Sequence, residues 1–199
     1  EGHLAAGIYG SDMTLEDHFL AFHLSGGTTE LLLAKEGSIT KLGGTKDISF
    51  GQVIDRIGVL SGVGFPAGKE MDKYAVSYLS SDKSVLKPVH FQGLDINLSG
   101  LETQTVKWIE QESPDMALLS YQLFRTIAEA FILWSEKAMA ETGCRSVLFT
   151  GGVASSESIR RAVMEHFSDR KYCITFGWPS LSSDNAVGIG LLGVRKLWQ

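Results

Sequence analysis

The sequence predicts an α/β domain on a mixed sheet with a helical insertion, and three observations lead there. Three short apolar segments near the start, joined by a glycine-rich turn and a tight turn, read as an antiparallel meander. Downstream, the pattern alternates helix, strand, helix, strand, helix. Between the two lies a stretch over residues 49–110 with helical periodicity broken by glycine and proline.

The elements follow in order. Residues 1–8 are Ala-rich, the tail of a helix, and residues 9–17 are polar and turn-like. Residues 19–24 form a nearly continuous apolar run, the pattern of a buried strand. It enters Ser25-Gly26-Gly27-Thr28-Thr29, and a second strand follows over 30–35. Glu36-Gly37 is a hairpin turn into a third strand over 38–42. Ile54, Ile57 and Leu60 recur at helical spacing, the segment breaks across 62–68, and a second helix runs over 70–78. Residues 83–98 are extended, with Pro88 marking an edge or loop. A helix follows Ser99-Gly100 to Trp108, and Pro114-Asp115 opens a long helix that Gly143 ends. A buried strand over 147–149 leads to a helix over 155–167 that starts at Ser155 or Ser156. A strand over 172–176 and a helix over 184–197 close the pattern, with Gly188, Gly190 and Gly193 spaced for close packing.

Bulk properties narrow the classes. The 199 residues suffice for one domain with a real core, and a net charge of −5 argues against a strongly basic nucleic-acid surface. No apolar run is read as long enough to cross a membrane, and no signal peptide is read at the start. Cys144 and Cys173 lack metal-type spacing and read as two buried thiols of a reducing compartment. The chain opens on Glu1 inside a helical pattern, so it is read as a piece whose active site continues upstream.

Two glycine turns carry the chemistry. In Ser25-Gly26-Gly27-Thr28, two amides without neighbouring Cβ atoms can point into one concavity and hold an anion, with the hydroxyls as added donors. A plain hairpin turn also accounts for it. Thr150-Gly151-Gly152-Val153-Ala154-Ser155-Ser156 is sharper, because a buried strand runs through two glycines into a helix. That arrangement sets backbone N–H groups and the positive end of a helix dipole at the edge of the sheet. A tight strand-to-helix connection is the alternative. Gly68 admits a ribose or base against its backbone, and Asp55 accepts from ribose hydroxyls. A solvated helix position is the other reading of Asp55. His3 by itself is an ordinary histidine near a terminus, and Asp184 by itself is an N-cap. His18, His23, His90 and His166 show no pairing at helical metal spacing. There is no HExxH, GxSxG or Walker A motif.

Taken in order, these pieces resemble the TsaD family, tRNA threonylcarbamoyltransferases long catalogued as O-sialoglycoprotein endopeptidases or glycoproteases. The matching segments are Glu1-Gly2-His3-Leu4-Ala5-Ala6, Leu24-Ser25-Gly26-Gly27-Thr28-Thr29, Thr45-Lys46-Asp47 leading to Gly51, and Asp55-Arg56. Phe65-Pro66-Ala67-Gly68, Leu98-Ser99-Gly100-Leu101-Glu102-Thr103, Gly151-Gly152-Val153-Ala154 and Ser183-Asp184-Asn185-Ala186 complete a collinear set.

The resemblance implies an actin-like ATPase (ribonuclease H-like) fold of two related halves. Residues 1–17 are then the end of the first half, and residues 18–199 the second, with the insertion at about 49–110. It implies an iron or zinc ion held by a histidine pair on a helix and an aspartate before the last helix. His3 falls on the second histidine and Asp184 on the aspartate, while the first histidine falls upstream of Glu1. Histidines at i and i+4 share one helix face and clamp one ion. The metal of the family holds threonylcarbamoyl-adenylate for attack by an adenosine amine. Ser25, Gly26, Gly27, Thr28, Asp55, Gly68, Gly151, Gly152 and Ser156 are implied as nucleotide or substrate contacts. ATP or an adenylate as ligand, tRNA reached through partner proteins, a TsaB-like partner or a homodimer, no membrane association and a cytoplasmic location complete the implications.

The sequence departs from the family at polar positions. Thr28 stands where His is usual, Asp47-Ile48 where an acidic pair is, Gln52 where Glu is, Glu102 where Lys is, and Ser156 where Asn is. Glycines and core residues remain, which is the pattern of a divergent paralogue. The leading function is a TsaD-like protein binding an adenine nucleotide or adenylate with a metal, in threonylcarbamoyl transfer to tRNA adenosine. The alternative is a non-catalytic nucleotide-binding or scaffold paralogue. A metallopeptidase is disfavoured, because no residue is placed as a general base beside a metal-bound water. No catalytic residue is assigned, and this stretch alone is expected to be inactive.

Overall fold

The computed structural model describes residues 2–79, 83–168, 171–181 and 186–197. The chain begins with helix α1 (Gly2–Ile8) and strands β1 (Phe19–Leu24), β2 (Thr29–Lys35) and β3 (Ser38–Gly44). The insertion follows as α2 (Phe50–Leu60), α3 (Gly68–Ser77), the hairpin β4 (His90–Gln92) and β5 (Asp95–Asn97), and α4 (Ser99–Glu112). Then come α5 (Met116–Thr142), β6 (Ser146–Thr150), α6 (Glu157–His166), β7 (Cys173–Phe176) and α7 (Ala186–Leu197).

Local chemistry sets the ends of these elements. Glu36 and Gly37 both have positive φ, 52° and 74°, the backbone a two-residue hairpin needs between right-twisted strands. Ser49 and Gln52 cap α2 reciprocally: the Ser49 hydroxyl accepts the Gln52 N–H, and the Gln52 side chain accepts the Ser49 N–H. Asp115 caps α5, accepting the Leu118 N–H at 2.9 Å, and Gly143 ends that helix in the left-handed region at φ 72°. Residues 83–98, read as merely extended, turn back on themselves as the hairpin. The α4 helix outruns its expected end at Trp108 and reaches Glu112.

The five-stranded sheet has the order β3-β2-β1-β6-β7. The meander is antiparallel, and β6 and β7 run parallel to β1, with Phe22 beside Phe149 and Phe149 beside Phe176. Alternation along the strands divides two cores. Leu20, Phe22 and Leu24 face α5 and the insertion, while Phe19 and Ala21 face α1. Both faces are covered, which is why β1 reads as a continuous apolar run. On the α5 face, Phe149 stacks on Phe22 at 4.9 Å and on Phe176 at 4.8 Å, and Trp134 meets Phe22 edge-on at 5.1 Å. Truncating such a fully buried aromatic costs roughly 3–5 kcal/mol.

The insertion is tied to this core by side chains of α5. Trp134 donates to the Leu94 carbonyl at 2.9 Å, and buried Gln122 accepts the Val85 N–H and donates to the Lys83 carbonyl. Asp47 fixes its other end, accepting N–H bonds from Ile48, Leu98 and Ser99 at 2.7, 2.9 and 3.0 Å. Burial works to raise the Asp47 pKa, but the hydrogen bonds from Leu98, Ser99 and Ile48 outweigh it and hold the carboxyl well below the usual carboxylate range.

Two sequence expectations are corrected. The α5 helix is long and apolar enough to span a membrane by length and composition, contrary to the reading that no segment is. Its most apolar window is 56% buried, however, because this is the helix that covers the sheet. Cys144 is buried as expected, but Cys173 is exposed, since it opens β7 at the edge of the sheet. Of the α7 glycines, Gly188 faces a close neighbour, the Gly2 carbonyl of α1; Gly190 and Gly193 meet no described atom within 4 Å.

Candidate functional site

The end of β1 forms the first wall of the site. The turn after Leu24 closes on itself, with the Ser25 N–H donating to the Thr28 carbonyl at 2.9 Å and the Thr28 N–H to the Ser25 hydroxyl at 3.1 Å. Ser25 and Thr28 therefore spend these groups on the turn, and Gly26 and Gly27 stand exposed at its tip. A Cβ on either glycine would meet nothing within 4 Å, and neither has a positive φ. Among the described residues no contact, and no backbone conformation, demands glycine at these two positions. The turn is anchored from behind, where the Ser49 hydroxyl donates to the Gly26 carbonyl at 2.6 Å. Gly51 packs so closely there that a Cβ would stand 2.5 Å from Gly26 Cα.

The end of β6 forms the second wall and behaves differently. Gly151 has φ 104°, and a Cβ would lie 2.4 Å from the Leu24 carbonyl oxygen. Its glycine is required by the fold itself. Gly152 is exposed and meets nothing within 4 Å. The single turn of 3-10 helix Val153–Ser155 then leads into α6, whose N-cap is Ser156.

The insertion supplies the third wall. Asp55 of α2 accepts the Ala67 N–H at 2.8 Å, which holds the 62–68 bend, with its cis Phe65–Pro66 bond, against α2. Gly68 and Lys69 open α3, and no side chain caps that turn. One helical turn on, Asp72 reaches across to α6. Its carboxylate accepts the Ser156 hydroxyl at 2.6 Å and the N–H groups of Glu157 and Ser158 at 2.7 and 3.1 Å. Sequence reasoning missed Asp72. Its signal was the i, i+4 spacing from Gly68, which puts both on one face of α3.

These walls enclose a cavity of about 460 Å³. Gly26, Asp55, Gly68, Gly152 and Ser156, all expected at a ligand site, line it together with Lys69 and Asp72. Apolar surface from Ile54, Phe124 and Val153 completes it. A concave apolar cavity with a few convergent polar groups is the usual form of a small-molecule site, and this volume suits a nucleotide-sized ligand. Gly27 lines a neighbouring depression with Gly26 and Asp55 instead. Ser25, Thr28 and Gly151 support the walls without lining the cavity.

His3 lies on the opposite face of the sheet. Alternation along β1 turns His23 toward α1, and the two imidazoles stack with centroids 4.5 Å apart. Burial lowers the His23 pKa below the ordinary imidazole value, and the neighbouring His3 lowers it further. Asp184 lies outside the described residues. Among the described residues no group of three His, Cys, Asp or Glu side chains could hold a metal. Two imidazoles fall short of the three protein ligands that a catalytic zinc takes.

Comparison with known proteins gives this geometry a family. The model of the family TsaD, tRNA N6-adenosine threonylcarbamoyltransferase, matches residues 1–191. A tRNA N6-adenosine threonylcarbamoyltransferase of Thermus thermophilus is 32% identical over 203 residues, covering 98% of this chain and 58% of the relative. One of Synechococcus sp. (strain CC9605) is 28% identical over 211 residues, covering 100% of this chain and 59% of the relative. The chain thus spans somewhat more than half the length of these relatives. Among solved structures, full-length HypF in its phosphate- and nucleotide-bound form superposes with a TM-score of 0.77 at 11% identity, over 98% of this chain and 35% of that one. HypF from T. kodakarensis gives 0.74 at 17%, over 98% and 36%. The component A of (R)-2-hydroxyglutaryl-CoA dehydratase from Acidaminococcus fermentans gives 0.58 at 14%, over 100% and 68%. At these identities the likeness concerns the fold, which is of the actin-like ATPase type.

Proposed function

The chain belongs to the TsaD family of tRNA N6-adenosine threonylcarbamoyltransferases, and from that premise we propose that it forms the nucleotide-gripping half of a protein that transfers a threonylcarbamoyl group to a tRNA adenosine. The observation that carries this reading is the convergence of Gly26, Asp55, Gly68, Gly152 and Ser156 on one cavity. They come from segments far apart in sequence, and the glycines at 26 and 152 are open toward it. An adenine nucleotide or adenylate lies with its planar base against Ile54, Phe124 and Val153, and its hydroxyls and phosphates against the polar rim. Iron or zinc held through His3 and Asp184 would polarise the acyl group when bound. Transfer RNA then arrives through a TsaB-like partner or a second copy, in the cytoplasm.

The test is complementation, by the full-length gene, of a strain lacking the transferase. Recovery of threonylcarbamoyl-adenosine in its tRNA is the expected outcome. No recovery with normal expression removes the transfer activity.

A non-catalytic nucleotide-binding paralogue is the second reading, and one observation favours it. Two of the polar side chains that depart from the family serve the fold here. Gln52 closes the α2 cap, and Ser156 caps α6 while bonding Asp72. Calorimetry with ATP and metal analysis on the full-length protein separate the two readings. ATP binding without metal or turnover supports the paralogue.

A further inference from the structure

We propose that Lys69 is the anion-reading residue of the cavity, so that the phosphate of a bound nucleotide is drawn to the start of α3 and not to the first turn of α6. The inference rests on the nucleotide reading above and assigns where the charged end of that ligand goes.

A strand running through glycines into a helix ordinarily presents the helix N-terminus to an anion. Here that place is taken. The Asp72 carboxylate already accepts the Glu157 and Ser158 N–H groups and the Ser156 hydroxyl. A phosphate brought there would find the donors occupied and a like charge beside them. The other carboxylate of the cavity, Asp55, is engaged by the Ala67 N–H.

The cation of the cavity is in the opposite state. Among the described residues, Lys69 is the only basic one on its lining, and its side chain has no hydrogen bond or ion pair there. Its neighbours are spoken for: Glu70 pairs with Lys73 at 2.7 Å, and Arg56 on the adjoining helix pairs with Glu102 at 3.1 Å. Among the described residues, the cavity therefore holds two carboxylates that already accept hydrogen bonds from the chain and one ammonium that has no such partner. A concave wall of low polarity strengthens the field of that ammonium at the mouth. An ammonium on a flexible stem accepts a phosphate from many directions, so it needs no fixed geometry in the free protein. The open backbone at Gly26 and Gly152 leaves room for the phosphate to approach.

The test is calorimetry on the full-length protein with ATP and with adenosine, at low and high salt. The wild type should bind ATP at least about tenfold more tightly than adenosine, and the preference should shrink with salt. Lys69→Ala and Lys69→Gln should lose about tenfold in ATP affinity and leave adenosine affinity unchanged. Lys69→Arg should keep most of the preference. Because Lys69 is exposed, its variants should unfold at the wild-type midpoint, which checks that the fold is intact. Unchanged ATP affinity in Lys69→Ala, or equal wild-type affinity for ATP and adenosine, overturns the proposal and leaves the nucleotide reading standing. Binding of neither compound by the wild type overturns both.

Discussion

At Gly151 an added Cβ would stand 2.4 Å from the Leu24 carbonyl oxygen, whereas at Gly26 and Gly27 it would meet nothing within 4 Å. The two turns look alike in sequence, each a glycine pair at the end of a buried strand. One glycine is spent on the passage of one strand past its parallel neighbour. The other pair meets no described atom and needs no special backbone conformation, so its open backbone leaves room for a ligand to approach.

The sharpest way to break this contrast is Gly151→Ala. The strained φ and the backbone clash together should destabilise the protein by about 3 kcal/mol or more, or prevent folding. A loss under about 1 kcal/mol in urea unfolding would show that the two turns are equivalent after all. Next in size is Asp72→Ala, which removes the brace between α3 and α6 beside the second turn. Uncapping α6 and orphaning the Ser156 hydroxyl should cost about 2 kcal/mol. Hydrogen exchange should localise the loosening to the first turn of α6; unchanged protection there would contradict the brace.

A pH series probes the frame that holds both turns, with smaller effects. Burial depresses the His23 pKa, so the unfolded chain takes up protons more readily than the folded one as pH falls below the ordinary 6.5. Stability should therefore decline from about that pH downward, and His23→Asn should flatten the decline. The depressed Asp47 carboxyl contributes stability above its ordinary value near 3.8 and loses it as pH falls below that. A second decline should start there, and Asp47→Asn should remove it. The smallest stability effect belongs to Gly26→Ala, within about 0.5 kcal/mol. The same variant should nonetheless weaken ATP binding severalfold in calorimetry. Full ATP affinity would return the first turn to a plain hairpin.

Apart from the β4–β5 hairpin, the order of elements was legible in the sequence, because each rests on local rules. The apolar run of β1, the caps at Ser49 and Asp115 and the stop at Gly143 are written in a few neighbouring residues. So were the glycine turns and the candidate ligand residues, most of which one cavity gathers. The roles within the site were not legible. Ser25 and Ser156 read as ligand donors and act as turn and cap, because a hydroxyl takes whichever partner the backbone sets beside it. Asp72 passed unnoticed because its partners lie more than eighty residues away. The pairing of His3 with His23 follows from strand alternation only once α1 is known to cross that face.

By itself, then, the sequence determined the class of fold, the family, and the segments that border the cavity. Periodicity, capping and turn chemistry act over a few residues and can be read in one dimension. Only the tertiary structure decided which glycines are free, which carboxylates are already satisfied, and which cation is not. Those are balances between groups brought together from distant parts of the chain, and they exist only once the chain has closed around the cavity.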